Sequence, residues 1–354
     1  MDYYSPIGKL LRSLPAETAH DFAIWSLKKG LVPGQKKFVH NALKSQVFGL
    51  EFDNPLGLAA GFDKNAEAID CLSKQGFGFL EVGTVTPLPQ FGNPKPRLFR
   101  LEQEQAIINR FGFNGKGGNL FAKNLAKRKN YTIVGANIGK NKDSLDAIHD
   151  YSILLEEVYE SCDYITVNIS SPNTVGLRDL QQKKALADLM SEVEKKRIEL
   201  ANKFFKRKPL LYKIAPDLSD SDKHDIVEVA LLNNIDGLIV SNTTISRPDF
   251  LQNSNKDEKG GLSGKPLFEL STATLRDVYK ISQGKIKLIG VGGIASPQDA
   301  YTKIKAGASL LQIYSALIYQ GFGLVNRINK GLVEMLEKDG FSNISQAVGS
   351  ETGL

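Results

Sequence analysis

From residue 54 onward the chain alternates between short apolar runs and longer segments of helical composition. The apolar runs fall at 55–60, 79–85, 133–138, 164–169, 210–215, 237–241, 287–291 and 310–316. They are short, mostly rich in Val, Ile and Leu, and bounded by turn-forming residues, which reads as buried strand. Between them, 65–75, 143–161, 181–205, 219–233, 266–282 and 296–306 have helical composition. Eight such units predict an α/β fold, a (β/α)8 TIM barrel in preference to an open doubly wound sheet. Two connections exceed a plain crossover. Residues 86–132 carry Pro87, Pro89, Pro94 and Pro96, then a hairpin-like Arg97–Arg110 stretch. Residues 244–265 are polar and end Gly260-Gly261-Leu262-Ser263-Gly264. Long insertions after barrel strands build an active-site face or a lid.

The N-terminal pattern is different. Ile7, Leu10, Leu11 and Leu14 recur at helical spacing, with Lys9 and Arg12 on the other side. Pro15 suits the start of a second helix holding Phe22, Ala23, Ile24, Trp25 and Leu27, and Lys28, Lys29 and Gly30 suit its end. The expected organisation is a small N-terminal helical domain (1–45), a barrel (46–340) and a C-terminal tail (341–354).

Charge sharpens this picture. The net charge is +6, and residues 1–48 carry seven bases against three acids, so two-thirds of the excess sits in the first seventh of the chain. That asymmetry points to an anionic surface, membrane or nucleic acid, or to an ordinary solvated face. A basic helix pair bearing aromatics fits the membrane interface, and fits packing on a larger domain almost as well. At 42% apolar content, neither disorder nor a fibrous protein is expected. Cys71 and Cys162 lie far apart and the four histidines form no cluster, so neither a metal site nor a disulfide framework is expected. No run is long enough to span a bilayer, and no secretory or organelle leader is evident.

Strand ends are where a barrel keeps its chemistry. The run at 164–169 leads into Asn168-Ile169-Ser170-Ser171-Pro172-Asn173-Thr174, where amides can grip a planar ring and a hydroxyl can move a proton. The first run ends Ala59-Ala60-Gly61-Phe62-Asp63-Lys64, small enough to admit a flat ligand. Thr84, Asn137 and Ser241-Asn242-Thr243-Thr244 end others. Lys213 is a cation inside an apolar strand and needs an anionic partner, either an internal carboxylate or a ligand. Gly290-Val291-Gly292-Gly293, and Gly307-Ala308 ahead of Tyr314-Ser315, suit a phosphate. Asn109-Arg110-Phe111-Gly112-Phe113-Asn114 pairs amides with aromatic faces.

As a set, the motifs at 59–65, 109–114, 168–174, 241–244, 260–264 and 290–294 resemble the dihydroorotate dehydrogenases. The match is to the membrane-associated, quinone-reducing class 2 branch of bacterial type, over nearly the whole chain. The resemblance implies FMN-dependent oxidation of (S)-dihydroorotate to orotate in UMP synthesis. It makes Ser171 the catalytic base that removes a proton from C5 while a hydride leaves C6 for N5 of FMN. It puts Lys64, Asn109, Arg110, Phe111, Gly112, Phe113, Asn168, Asn173, Asn242 and Thr243 on the substrate. Ala60, Gly61, Thr84, Asn137, Asn168, Lys213, Ser241, Gly264, Gly293, Tyr314 and Ser315 match flavin positions. His20, Arg100 and Tyr314 match a tunnel for ubiquinone or menaquinone, and Thr174 is the candidate proton relay from Ser171. Peripheral attachment to the cytoplasmic face of the cell membrane is expected, as a monomer without nucleic acid.

Three rivals predict something else. A soluble class 1-like enzyme would carry cysteine at position 171, which is serine here. A non-redox phosphosugar barrel shares the glycine turns but would be colourless. A nucleic-acid binder needs bases interleaved with aromatics along one face, and outside the N-terminus the charge is nearly balanced.

Overall fold

The computed structural model describes residues 4–129 and 132–354. Its strands are β1 (Ser45–Val47), β2 (Leu50–Phe52), β3 (Leu56–Leu58), β4 (Phe79–Val85), β5 (Leu98–Leu101), β6 (Ala106–Asn109), β7 (Ile133–Ile138), β8 (Tyr164–Asn168), β9 (Leu210–Ile214), β10 (Gly237–Val240), β11 (Gly261–Gly264), β12 (Lys287–Val291) and β13 (Ala308–Ile313). Eight of them close into a barrel in the order β3, β4, β7, β8, β9, β10, β12, β13, every neighbouring pair parallel. These are the eight predicted strands, most of them displaced by at most two residues.

All seven residues of β4 are buried, because one face meets the barrel interior and the other the helices. Leu80 and Val82 join the outer core, whereas Phe79 packs inside with Tyr164, Leu211, Ile239, Ile289 and Leu310. Two glycines make room for the interior rings. A Cβ on Gly57 would meet the Phe79 ring at 2.4 Å, and one on Gly135 the Tyr164 ring at 2.1 Å. The β1–β2 hairpin stoppers this end with Val47 and Phe52, whose ring meets Phe79 edge-on at 5.4 Å. The open end is therefore the C-terminal one.

Outside the barrel run α3 (Ile69–Leu72), α4 (Gly118–Ala126), α5 (Ala147–Val158), α6 (Lys183–Phe204), α7 (Asp220–Leu232), α8 (Phe268–Ile281), α9 (Pro297–Lys305), α10 (Ser315–Gln320), α11 (Gly323–Lys338) and α12 (Ile344–Ala347). Side chains start several of them: Ser219 and Asp222 form a reciprocal cap on α7, and Ser296 Oγ accepts from Asp299 N on α9. The helix expected over 65–75 shrinks to α3 and a single tight turn. Asp63 is the reason, because its carboxylate takes the backbone N–H groups of Glu67 and Ala68 at 2.9 and 2.8 Å and ties the entry into a loop.

The long connections build the mouth. The expected hairpin is β5–β6, and the Gly-rich stretch expected as loop or lid contributes β11, antiparallel to β6 with Gly261 opposite Asn109. The helix pair, α1 (Tyr4–Ser13) and α2 (Ala16–Lys28), leans on α10 and β5 beside this small sheet.

Candidate active site

A cavity opens at the C-terminal end of the barrel. Ala60, Gly61, Thr84, Asn168, Lys213, Ser241, Gly264, Gly293, Tyr314 and Ser315 line it, as do Lys64, Asn109, Phe111, Gly112, Phe113, Ser171, Asn173, Asn242 and Thr243. Among the described residues, three lysines line this wall (Lys64, Lys213 and Lys265), and no carboxylate does. The cavity is built for an anion.

Pleat alternation sends Glu81, Thr166, Asn168 and Lys213 inward, above the apolar layer. Glu81 is fully buried and accepts from Asn137 Nδ2 (2.7 Å), Gln312 Nε2 (2.9 Å), Tyr164 OH (3.0 Å) and Thr166 Oγ1 (3.1 Å). Four donors compensate its desolvation. Because Glu81 holds the Asn137 amide nitrogen, the Asn137 oxygen faces Thr84 Oγ1 (2.6 Å) and Asn168 Nδ2 (3.3 Å). Asn168 Oδ1 in turn accepts from Ser170 Oγ and Asn242 Nδ2 at 3.2 and 3.3 Å. One carboxylate thus orients a chain of amides reaching the cavity wall.

Lys213 takes no hydrogen bond or ion pair from any described residue. Burial lowers its pKa, and the charge of Glu81 only partly offsets this. Glu81 supplies a field without a contact, so of the two partners expected for Lys213 the internal carboxylate does not form an ion pair. The ammonium is left for an occupant of the cavity.

Lys64 stands at the rim. Its Nζ lies 4.1 Å from the centre of the Phe111 ring and 3.2 Å from His20 Nε2. Burial draws its pKa down to about 8, against the pull of Asp21 and Glu17. Burial, then the Lys64 charge, hold His20 well below the usual imidazole value, so it is neutral. Ser171 is buried, and its Oγ accepts from Asn173 N at 3.3 Å. Asn173 Nδ2 reaches Asn109 Oδ1 at 3.3 Å, joining the β8 loop to β6.

Three predicted site residues stand back from the wall. Asn137 lies behind Thr84 and Asn168. Thr174 is buried at the end of the loop that follows β8, its Oγ1 without a hydrogen-bond partner among the described residues. The Arg110 guanidinium turns away, to Glu258 at 2.6 Å and over the Phe99 ring at 4.5 Å, because a carboxylate is available only on the outer side.

Sequence reasoning missed others. Arg178 clasps two loops, donating to Ser170 O (3.1 Å), Thr243 O (2.9 Å) and Asp217 Oδ2 (2.9 Å). Asn114 and Gln312 line the cavity with buried side-chain oxygens that have no partner. Asn114 was inside a quoted motif. Arg178 and Gln312 carried no signal of their own.

A second cavity lies under the helix pair. Ile7, Leu11, Phe22, Phe62 and Phe322 make it apolar, and His20 and Arg100 add polar edges. Arg100 also holds α1 in place, donating to the carbonyls of Arg12 and Leu14. The two cavities share Leu98, Ile107, Tyr314 and Ile318 as a common wall.

A family model described as dihydroorotate dehydrogenase matches residues 42–336. The chain belongs to the dihydroorotate dehydrogenase family. A dihydroorotate dehydrogenase (quinone) from Xanthobacter autotrophicus is 50% identical over 99% of both chains. A mitochondrial dihydroorotate dehydrogenase (quinone) from Arabidopsis thaliana is 48% identical over 96% of this chain and 79% of its own. The crystal structure of the Eimeria tenella enzyme in complex with ferulenol superposes with a TM-score of 0.92 at 42% identity, covering 96% of each chain. This dihydroorotate dehydrogenase thus sits on the quinone-dependent branch, as the motifs implied, and serves pyrimidine biosynthesis.

Proposed function

We propose that this enzyme oxidises (S)-dihydroorotate in the first cavity with FMN as the immediate acceptor, and reaches its quinone through the second. The observation that carries this reading is the wall of three lysines without a carboxylate, one of them buried and unpartnered. Both an orotate carboxylate and a flavin phosphate are anions. The residues fit FMN: small Ala60 and Gly61 leave a flat slot, and a Cβ on Gly264 or Gly293 would strike backbone at 2.3 or 2.5 Å. When bound, FMN supplies a hydride acceptor and a route for electrons to the quinone.

The chain's own residues do the rest. Asn109, Asn168, Asn173 and Asn242 hold the pyrimidine edges, pre-oriented by one another and by Glu81, so little reorganisation accompanies binding. Lys64, as a cation, holds the substrate's negative charge. Ser171 Oγ takes the C5 proton. A serine is a weak base at neutral pH, so its proton must leave through a relay, and the orphaned Thr174 hydroxyl would serve. Lys213 stabilises negative charge that develops across the slot.

No described helix is long and apolar enough to cross a membrane. Exposed Leu10, Phe22, Trp25 and Leu31 on and beside the helix pair, with the local basic excess, support peripheral attachment at the cytoplasmic face, with ubiquinone or menaquinone entering between the helices. The common wall at Tyr314 is where that tunnel meets the slot. The enzyme is read as a monomer without nucleic-acid partners.

The test is an absorption spectrum of the purified protein before and after anaerobic dihydroorotate. A yellow protein that bleaches, then recovers with a soluble quinone but not with fumarate or NAD, is the expected result. A colourless protein would overturn the reading.

A further inference from the structure

We propose that Lys303, sealed behind the turn after β12, is the hidden counter-charge for a phosphate group held at that turn. The inference rests on the FMN reading above and adds a residue that lines neither of the two cavities described. Lys303 is on α9 and is fully buried. Its Nζ donates to Ser271 Oγ at 2.8 Å and Thr272 Oγ1 at 2.9 Å, 5.1 Å from the centre of the Phe268 ring. These partners are neutral, and no carboxylate among the described residues comes within ion-pair reach. The charges acting on it are more distant: Asp299 on its own helix, and Glu269 and Arg276 on α8. Asp299 is occupied, accepting from Ala295 N at 2.9 Å.

The path from this ammonium to the cavity is one side chain long. Ser271 Oγ, which receives the Lys303 hydrogen bond, lies 3.1 Å from both Gly292 O and Phe268 O, which share its one proton. Gly292 and Gly293 line the cavity and press directly on α8: a Cβ would meet Ser271 Oγ at 2.8 Å or Phe268 Cα at 2.5 Å. A buried cation without an anion is costly, because nothing offsets its lost hydration. An anion seated on the glycine turn would relieve that cost across a thin, dry layer, where charges act strongly.

Burial draws the Lys303 pKa down to about 7, so near neutrality the free site is a mixture of ammonium and amine. A bound anion favours the ammonium and raises the pKa. Binding should therefore be tightest below about pH 7 and weaken as pH rises towards the bound-state value, with uptake of a proton in between. A phosphomonoester is already a dianion above pH 7 and does not confuse this window.

The experiment titrates the full chain, freed of flavin, with FMN and with riboflavin, which lacks the phosphate, from pH 7 to 9. In the parent, FMN should bind more tightly than riboflavin, and the preference should shrink by about tenfold or more across the window. Lys303→Met should lose about tenfold or more of FMN affinity, leave riboflavin within about twofold, and flatten the pH dependence. Lys303→Arg, charged throughout, should keep the preference without the slope. Equal weakening of both flavins in Lys303→Met would make the residue a mere prop and overturn the proposal, as would an unchanged FMN preference. Should that variant not fold, a parent preference that stays level from pH 7 to 9 overturns it equally. A parent that never prefers FMN would instead sink the cavity reading beneath it.

Discussion

The two adjoining cavities are built on opposite principles although they share a wall. The first is made of strand ends, and most of its amides are hydrogen-bonded to one another, while Lys213 and the oxygens of Asn114 and Gln312 are left unpaired. The second is made of surface helices, and its side chains are apolar and partly exposed. A rigid polar site recognises by geometry and punishes small errors, because each misplaced amide leaves a buried group unpaired. A greasy tunnel recognises by area and tolerates substitution. That contrast suits the proposed division, with substrate chemistry in the first cavity and delivery of a lipid-soluble acceptor through the second.

Mutations can test this contrast, and the largest effect is expected at Ser171. Ser171→Ala should slow reduction of the flavin by about 10²–10⁴-fold in stopped-flow, with orotate affinity little changed. Reduction as fast as in the parent would remove the hydroxyl from the chemistry. Lys213→Met should follow, with about 10²–10³-fold loss in the same measurement, since it deletes an unpaired buried charge aimed at the slot. At Lys64 the effect depends on pH. Burial draws its pKa down to about 8, and the proposed hold on the substrate's negative charge requires the cation, so kcat/KM for dihydroorotate should fall about tenfold per unit above pH 8. Lys64→Arg should move that fall to higher pH, and an identical profile would sink the assignment. On the other side of the wall, Phe22→Ser with Trp25→Ser should weaken co-sedimentation with anionic vesicles by about tenfold while sparing turnover with a short-chain quinone. Loss of both together would mean the helix pair supports the slot itself. The smallest effect is expected at Thr174→Val, a several-fold slowing of flavin reduction with normal orotate affinity; no slowing would leave the relay to another group.

The eight barrel strands were legible because a doubly buried strand must be a short apolar run, whatever it later packs against. Strand β11 was not, because Gly261-Leu262-Ser263-Gly264 has no strand composition and pairs only when β6 lies alongside. The 65–75 helix was over-read for the same reason in reverse: helical composition lost to the Asp63 carboxylate, a partner outside the window. At the site, Ser171 and the amides could be named because they cluster in a few short motifs. Arg178 and Gln312 could not, since Arg178 reaches partners 8 to 65 residues away and Gln312 one 231 residues away.

Sequence alone settled the architecture, the order of the elements and the family, because those follow from patterns that repeat or recur over a few consecutive residues. Folding decided the rest: that Glu81 is saturated by four donors while Lys213 is left unpaired, that Arg110 turns outward, and that Lys303 lies behind a glycine turn. Charge pairing in a low-dielectric interior depends on distances through space. No reading along the chain contains them.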